Sequence, residues 1–171
     1  MRKVATLFGG TINDTTTQEY KDTVKIGKLL ADQSYDIKYG SCSELMQAVS
    51  KGGKESEVDV IGVSCKPFGS TKDNAYLDIV VPAEDVVDRL RVLMDADIFV
   101  VQKGGVGTLA EFFLIWDIIR KKKDATTVFL IGSHWRDILY SIIYVKKERE
   151  KIIICDSFDI FAQQIITNKT G

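Results

Sequence analysis

The stretch that decides the fold of this chain is Val100–Phe113, "VVQKGGVGTLAEFF". An apolar strand pattern comes first, three glycines and a threonine follow, and an apolar helical pattern then begins. A strand, a glycine-rich turn and a helix N-terminus together form an anion-binding arrangement, because the free amides at the start of the helix point at the anion. Glu111 stands out in this arrangement, because a carboxylate beside a bound phosphate needs a separate reason to be there.

Strand and helix patterns alternate along the rest of the chain. Apolar runs predict strands at 3–8, 35–40, 58–64, 96–102, 126–132 and 151–157. Helical patterns predict helices at 18–33, 43–53, 108–121 and 134–145 and from about 158 onward, with Ser43 as an N-cap. The segment 78–95 begins extended, and Pro82 is expected to start its helix. The alternation predicts an α/β fold, a doubly wound Rossmann-like parallel sheet of about six or seven strands with helices on both faces.

The composition is typical of a soluble globular protein, and we expect one domain over residues 1–171. A formal net charge of -1 gives no electrostatic reason to expect a nucleic-acid or membrane partner. No apolar run approaches the length of a membrane span. Cys42, Cys65 and Cys155 are widely spaced and match no zinc pattern. They are therefore predicted to be buried free thiols in a reducing cytoplasm.

Ligands of doubly wound sheets bind beyond the carboxyl ends of the strands, where the strand order reverses. Two glycine turns fall there: Gly9–Gly10 after the first strand, and Gly104, Gly105 and Gly107 after the strand that ends near Gln102. Glycine lets the backbone approach a ligand closely, although glycines after strands also serve tight turns alone. With Thr108 as a hydroxyl donor, the turns predict a site for the phosphate of a nucleotide-sized ligand. The pattern is neither a P-loop nor a GxGxxG fingerprint.

The segment "KGGVGTLAE" at 103–111 resembles the PGGxGTxxE signature of the LONELY GUY (LOG) family. The segments "YGSCSELMQAVSKGG" at 39–53 and "FLIGSHWRDIL" at 129–139 resemble further stretches of that family, in the same order. The resemblance implies a phosphoribohydrolase that cleaves the N-glycosidic bond of a nucleoside 5′-monophosphate, such as a cytokinin riboside 5′-monophosphate or an AMP-like nucleotide. The products are the free base and ribose 5-phosphate. It also implies a homodimer and no metal or organic cofactor, although many members carry the label lysine decarboxylase.

The resemblance assigns the final glutamate of the motif to Glu111. A carboxylate near the ribose stabilises an oxocarbenium-like transition state and can orient or deprotonate a water. The alternative is a first-turn acid that favours the helix dipole. The family also uses an arginine in a pattern close to ERKxxM, and "DRLRVLM" offers Arg89 and Arg91. When residues are counted back without a gap from "ADIF" at 96–99, Asp88 falls at the position of the family arginine. Arg89 falls there only if one residue is deleted. We expect Arg89 to act with Glu111 in catalysis, with Arg91 second as a substrate-binding residue.

Several residues depart from the family pattern. Lys103 replaces the proline before the glycines, and its ammonium either reaches the phosphate or lies at the edge of the site. Ala110 replaces an acid that is often found next to the final glutamate. His134, the only histidine, is expected to cap or pack rather than to catalyse. A second hypothesis is therefore a non-catalytic nucleotide-binding sensor or carrier of the same fold, similar to proteins proposed to carry molybdenum cofactor.

Overall fold

The computed structural model describes residues 2–10, 14–40, 44–54, 56–68, 76–121, 126–142 and 150–167. Within these ranges, parallel strands form one sheet in the order β4-β3-β2-β1-β5-β6-β7. The strands are β1 (Lys3–Phe8), β2 (Tyr35–Gly40), β3 (Val60–Cys65), β4 (Ile79–Ala83), β5 (Ile98–Val101), β6 (Thr127–Ile131) and β7 (Ile152–Cys155). A single 3₁₀ turn, Lys66–Phe68, follows β3.

Helices cover both faces of the sheet. They are α1 (Gln18–Asp32), α2 (Glu44–Gly53), α3 (Val86–Leu93), α4 (Val106–Lys121), α5 (His134–Ile142) and α6 (Phe158–Thr167). Helices α1, α2 and α6 contribute to one apolar core, and α3, α4 and α5 contribute to the other. The doubly wound α/β fold predicted from the sequence is confirmed.

Strand β5 shows why the central strands read as unbroken apolar runs. Ile98 and Val100 belong to the first core, and Phe99 and Val101 belong to the second. Successive side chains of a strand point to opposite faces, so a strand covered on both faces needs an apolar residue at every position. The apolar character of β5 is therefore a consequence of its central place in the sheet.

The predicted helix start at Pro82 was wrong. Pro82 lies inside β4, which pairs with β3 and forms an edge of the described sheet. An edge strand tolerates proline, because an amide on its free side has no ladder partner to lose. Helix α3 begins later, at Val86, where the Asp85 side chain accepts a hydrogen bond from the Asp88 amide at 2.8 Å.

The cysteine prediction was confirmed in part. Cys65 and Cys155 are free and buried, and burial raises the pKa of the Cys155 thiol to about 12. Cys42 and the predicted N-cap Ser43 lie outside the described residues. None of the described helices is both long enough and apolar enough to cross a membrane.

The strand order brings the two predicted glycine turns together. β1 pairs with β2 on one side and with β5 on the other, so the direction of strand succession reverses between β1 and β5. The turns that follow these two strands are the ones that carry the predicted glycines. Parallel strands bring both turns to the same carboxyl edge of the sheet.

Helices α1 and α2 cross in backbone contact, and this contact requires glycine. A Cβ on Gly27 would lie 2.1 Å from the Val49 carbonyl oxygen, and one on Gly52 would lie 2.0 Å from the Val24 carbonyl oxygen. A helix cannot move a backbone carbonyl out of the way without shifting as a whole. The two glycines therefore set the spacing between α1 and α2.

We predict that Gly27→Ala lowers the free energy of unfolding by about 1–3 kcal/mol, because the added methyl group overpacks the crossing. Urea denaturation followed by circular dichroism measures the change. Gly107→Ala is the matched control in α4, since a Cβ there meets no atom within 4 Å. The control is expected not to lower stability. Equal losses of unfolding free energy in the two variants would contradict the conclusion that Gly27 is required by the close contact between α1 and α2.

Candidate functional site

The turns after β1 and β5 touch at their glycines. The Gly10 amide donates a hydrogen bond to the Lys103 carbonyl oxygen at 3.0 Å. A Cβ on Gly10 would lie 2.9 Å from the Gly104 Cα, and one on Gly104 would lie 2.2 Å from the Thr108 Oγ1. Gly10 and Gly104 are therefore required for the two turns to pack together, with the buried Thr108 beneath them. Gly9 precedes this contact and is half-buried.

The remaining two glycines keep the start of α4 open. A Cβ on Gly105 or on Gly107 would meet no atom within 4 Å, and Val106 between them is 85% exposed. The first hydrogen bond of this helix runs from the Leu109 amide to the Gly105 carbonyl oxygen at 3.1 Å. The amides that precede Leu109 in α4 therefore lack a partner within the helix and are available to an anion.

An ion pair joins α3 to α4 at the same edge of the sheet. Arg89 Nη1 lies 3.1 Å from Glu111 Oε1, and the two side chains are only 14% and 16% exposed. Burial raises the pKa of the Glu111 carboxyl, and the attraction of Arg89 opposes that rise without cancelling it. Glu111 is therefore a partly desolvated carboxylate that depends on Arg89 for its charge partner.

Strand β2 holds Arg89 in place. A Cβ on Gly40, the last residue of β2, would lie 1.7 Å from Arg89 Nη2, so the guanidinium rests directly on the strand end. Two residues earlier, the buried Lys38 donates hydrogen bonds to the Val92 carbonyl oxygen at 2.7 Å and to the Asp95 carbonyl oxygen. Lys38 thus ties the carboxyl end of α3 to the sheet, and burial lowers its pKa.

The structure distinguishes the arginines that the sequence offered. Arg89 reaches Glu111, whereas Arg91 is exposed and pairs with Asp88 at 3.1 Å. Two residues along a helix correspond to about 200° of rotation, so Arg91 lies on the other side of α3. The structure does not bring Arg91 to the other predicted residues.

Two residues of this site were missed by sequence reasoning. Gly40 was predicted to end the second strand and lies in the segment at 39–53 that carries the family resemblance, but no role at the site was predicted for it, and Lys38 was not singled out. The signal for Lys38 was present in "YDIKYG", where a lysine stands between two apolar residues of the strand, and it is buried with them. Its partners are carbonyl groups at the end of α3 and just after it, which no local pattern in β2 reveals. Across the described ranges, no three His, Cys, Asp or Glu side chains gather as a metal site.

The comparison with known proteins agrees with the motif and the geometry. Residues 46–164 match the protein family described as "Possible lysine decarboxylase". The chain belongs to this family. The match spans the glycine turn, Arg89 and Glu111, and it supports a divergent LOG-like member. No curated protein matches this LOG-like sequence.

Solved structures share the fold over nearly the whole LOG-like chain. The molybdenum cofactor binding protein of Rippkaea orientalis is 19% identical, with a TM-score of 0.76 and coverage of 98% of this chain and 97% of its own. The molybdenum cofactor carrier protein MCP of Chlamydomonas reinhardtii is 18% identical, with a TM-score of 0.75 and complete coverage of both chains. The structural genomics target TM1055 is 21% identical, with a TM-score of 0.76 and coverage of 96% and 99%. At these identities the likeness establishes the fold alone.

We predict that Arg89→Met raises the pKa of Glu111 further, because it removes the one attraction that opposes burial. Carbon-13 NMR of the carboxyl groups measures this directly. The folded-state pKa of Glu111 in the variant lies above that in the wild type. The loss of stability is therefore absent at a pH below both values, grows as the pH rises from the wild-type value to the variant value, and is complete above the variant value. At neutral pH we expect the variant to lose about 3 kcal/mol, as for other broken buried pairs.

Arg91→Met is the matched control, because it removes the same charge from the same helix on the side away from Glu111. It is expected to leave the Glu111 titration unchanged. A Glu111 pKa that moves equally in both variants would mean that general electrostatics, rather than the Arg89 contact, sets it.

Proposed function

We propose that this LOG-like chain is a hydrolase that cleaves the N-glycosidic bond of a nucleoside 5′-monophosphate, giving a free base and ribose 5-phosphate. The observation that carries the proposal is the buried carboxylate of Glu111, which lies on α4, the helix whose first amides are uncovered, and is paired with Arg89 of α3. A protein that only bound phosphate would have no use for that carboxylate. Membership of the family supports the same class of reaction.

In this proposal the 5′-phosphate lies on the free amides at the start of α4. Lys103 stands directly before the glycines with an exposed side chain, and it adds a positive charge at the rim. The rise of an α-helix is about 1.5 Å per residue, so Glu111 lies roughly 7.5 Å along α4 from Val106. That distance suits a ribose that extends from the bound phosphate toward the carboxylate.

The chemistry follows from this placement. The bond between C1′ and the base nitrogen breaks, its electron pair leaves with the base, and positive charge develops on the ribose. The Glu111 carboxylate stabilises that charge and accepts a proton from the attacking water, whose oxygen forms the new bond to C1′. The departing nitrogen takes up a proton, and solvent can supply it. Because burial raises the pKa of Glu111, the carboxylate is a better proton acceptor than an exposed one.

We predict that Glu111→Gln lowers the rate of base release by about 100-fold to 10,000-fold, the usual contribution of a positioned general base. The measurement is chromatography of free base from AMP, N6-prenylated AMP, CMP, GMP and dAMP. In the wild type, the activity should fall on the acid side at a pH above the ordinary range of a glutamate, since burial raises the pKa of Glu111 and protonation removes the base.

Asp117→Asn is the matched control for this experiment. Asp117 is another acid on α4, and it forms surface ion pairs with Arg120 and Lys121. The control should retain base release. Equal loss in the two variants would indicate damage to α4 rather than loss of a catalytic carboxylate.

A second candidate function is a carrier or sensor that binds a phosphorylated ligand without cleaving it. Two of the structural neighbours are named for binding or carrying molybdenum cofactor. The specific observation in its favour is Lys103, which adds binding charge where the family motif has a proline. Nucleotide binding without base release from any of the five substrates would support this second function.

We also propose that the chain forms a homodimer through α4. Phe113 and Leu114 are 39% and 36% exposed, and they follow Val106 and Ala110 at helical spacing. An exposed apolar stripe beside a ligand site is typical of a protein interface. A second copy of the chain is the occupant that the family resemblance implies.

We predict that Leu114→Asp weakens the dimer by about tenfold or more, because it places a charge within an apolar contact. Analytical ultracentrifugation over a concentration series measures the association. Ile166→Asp is the control, since Ile166 is an exposed apolar residue on α6. A monomeric wild type, or an equal effect of the two variants, would argue against the α4 interface.

A further inference from the structure

His134 lies at the same edge of the sheet as the glycine turn of α4. Val101 on β5 pairs with Leu130 on the adjacent strand β6. Lys103 comes two residues after Val101, and Gly132 comes two residues after Leu130, so the two residues lie at equivalent positions beyond the paired strand ends. His134 comes two residues after Gly132 and opens α5. The turn that carries Lys103 and the turn that leads to His134 are therefore neighbours at the carboxyl ends of adjacent strands.

The imidazole is held in place by the turn before it. Gly132 has a φ of 115°, a conformation that favours glycine, and a Cβ there would lie 2.6 Å from both Cε1 and Nδ1 of His134. The ring also packs on Trp135, with ring centroids 5.2 Å apart. Its Nε2 is buried and finds no hydrogen-bond partner among the described residues. This nitrogen is therefore a buried polar atom that no described residue satisfies, next to the turn that carries Lys103.

Two charged groups on neighbouring parts of the fold act on the ring. Lys103, after β5, repels a protonated imidazole, and Glu19 in the first turn of α1 attracts it. On α5 itself, Arg136 forms a bidentate ion pair with Asp156, in which Nε and Nη2 of Arg136 donate hydrogen bonds of 2.9 and 2.8 Å to the carboxylate. Asp137 on the same helix is exposed. Burial and Lys103 together hold the pKa of His134 below its usual range.

An anion at the start of α4 would change this balance, because it would neutralise the repulsion from Lys103. We propose that His134 takes up a proton when the phosphate binds and then acts with Lys103 as a second cationic partner of that phosphate. This inference rests on the proposed position of the nucleotide phosphate at α4. It makes His134 a specificity-determining residue that favours a doubly charged phosphate monoester over an uncharged nucleoside.

Proton uptake and anion affinity are linked. If a bound dianion raises the pKa of His134, the affinity for that dianion must rise by the same factor as the pH falls through the histidine titration. A rise of one pKa unit corresponds to about a tenfold gain in affinity. The nucleoside, which lacks the phosphate, should show no such dependence.

The test is an NMR titration of the imidazole, which is unambiguous because His134 is the only histidine in the chain. The probes are inorganic sulfate, AMP and adenosine. Sulfate stays doubly charged across the titration range, whereas a phosphate monoester itself titrates near pH 6. Saturating sulfate and AMP should each raise the pKa of His134 by roughly one unit, and adenosine should leave it unchanged.

Calorimetry supplies the second readout. Sulfate affinity for the wild type should rise as the pH falls from 8, and the gain should approach about tenfold once the pH is below the pKa of the free imidazole. In His134→Gln that pH dependence should disappear while binding persists. In Lys103→Met the pKa of the free imidazole should rise, because its repelling neighbour is gone. This second variant leaves the histidine and its packing intact, and so it tests the proposal even if His134→Gln does not fold.

A His134 pKa that neither sulfate nor AMP moves would overturn the proposal, and so would a sulfate affinity that keeps its pH dependence in His134→Gln. The result is separate from the glycosidase activity. If AMP raises the pKa but releases no adenine, the phosphate contact stands and the proposed reaction fails. If adenine is released while the pKa is unmoved, the reaction stands and the role of His134 fails.

Discussion

The burial of Glu111 is the constraint on which the rest of the site depends. A carboxylate removed from water is costly unless a cation and hydrogen bonds compensate it. Arg89 supplies the cation at 3.1 Å, and it can lie there only because Gly40 has no side chain. Helix α3 carries Arg89, and Lys38 of β2 holds the end of this helix through a hydrogen bond to the Val92 carbonyl oxygen. One buried charge on α4 thus imposes requirements on a strand and on a second helix.

The glycine motif contains two separate requirements. Gly10 and Gly104 lack side chains because the turns after β1 and β5 touch each other, and a methyl group on either would collide with its neighbour. Gly105 and Gly107 have free space around them, so packing does not explain them. Their effect is to leave the amides at the start of α4 uncovered. The first pair would be needed in any protein with these turns, and the second pair is the one that points to a ligand.

The sequence was sufficient for the fold, and it named most of the residues that the structure brings together at the candidate site. The alternation of apolar strands and helices required a doubly wound sheet, and the reversal of strand order then brought the two glycine turns together. Pro82 was misread because a proline suits both a helix start and an edge strand, and only the strand order shows that β4 is an edge. Arg89 could not be separated from Arg91 by counting, since helix rotation decides between them. Lys38 and Gly40 act through partners on or just after α3, and no local pattern in β2 identifies those partners.

The Arg89–Glu111 pair also explains how a carboxylate could lie near the phosphate that the proposed function puts at the start of α4. An unpaired glutamate about 7.5 Å from an anion would repel it by about 2 kcal/mol per unit of charge at an effective dielectric constant of 20. Arg89 reduces this repulsion, because the pair carries no net charge when seen from the glycine turn. The proposed function therefore allows a carboxylate and an anion to lie on one helix. Under that proposal, loss of Arg89 would weaken catalysis and anion binding together, through the charge of Glu111 as much as through its position.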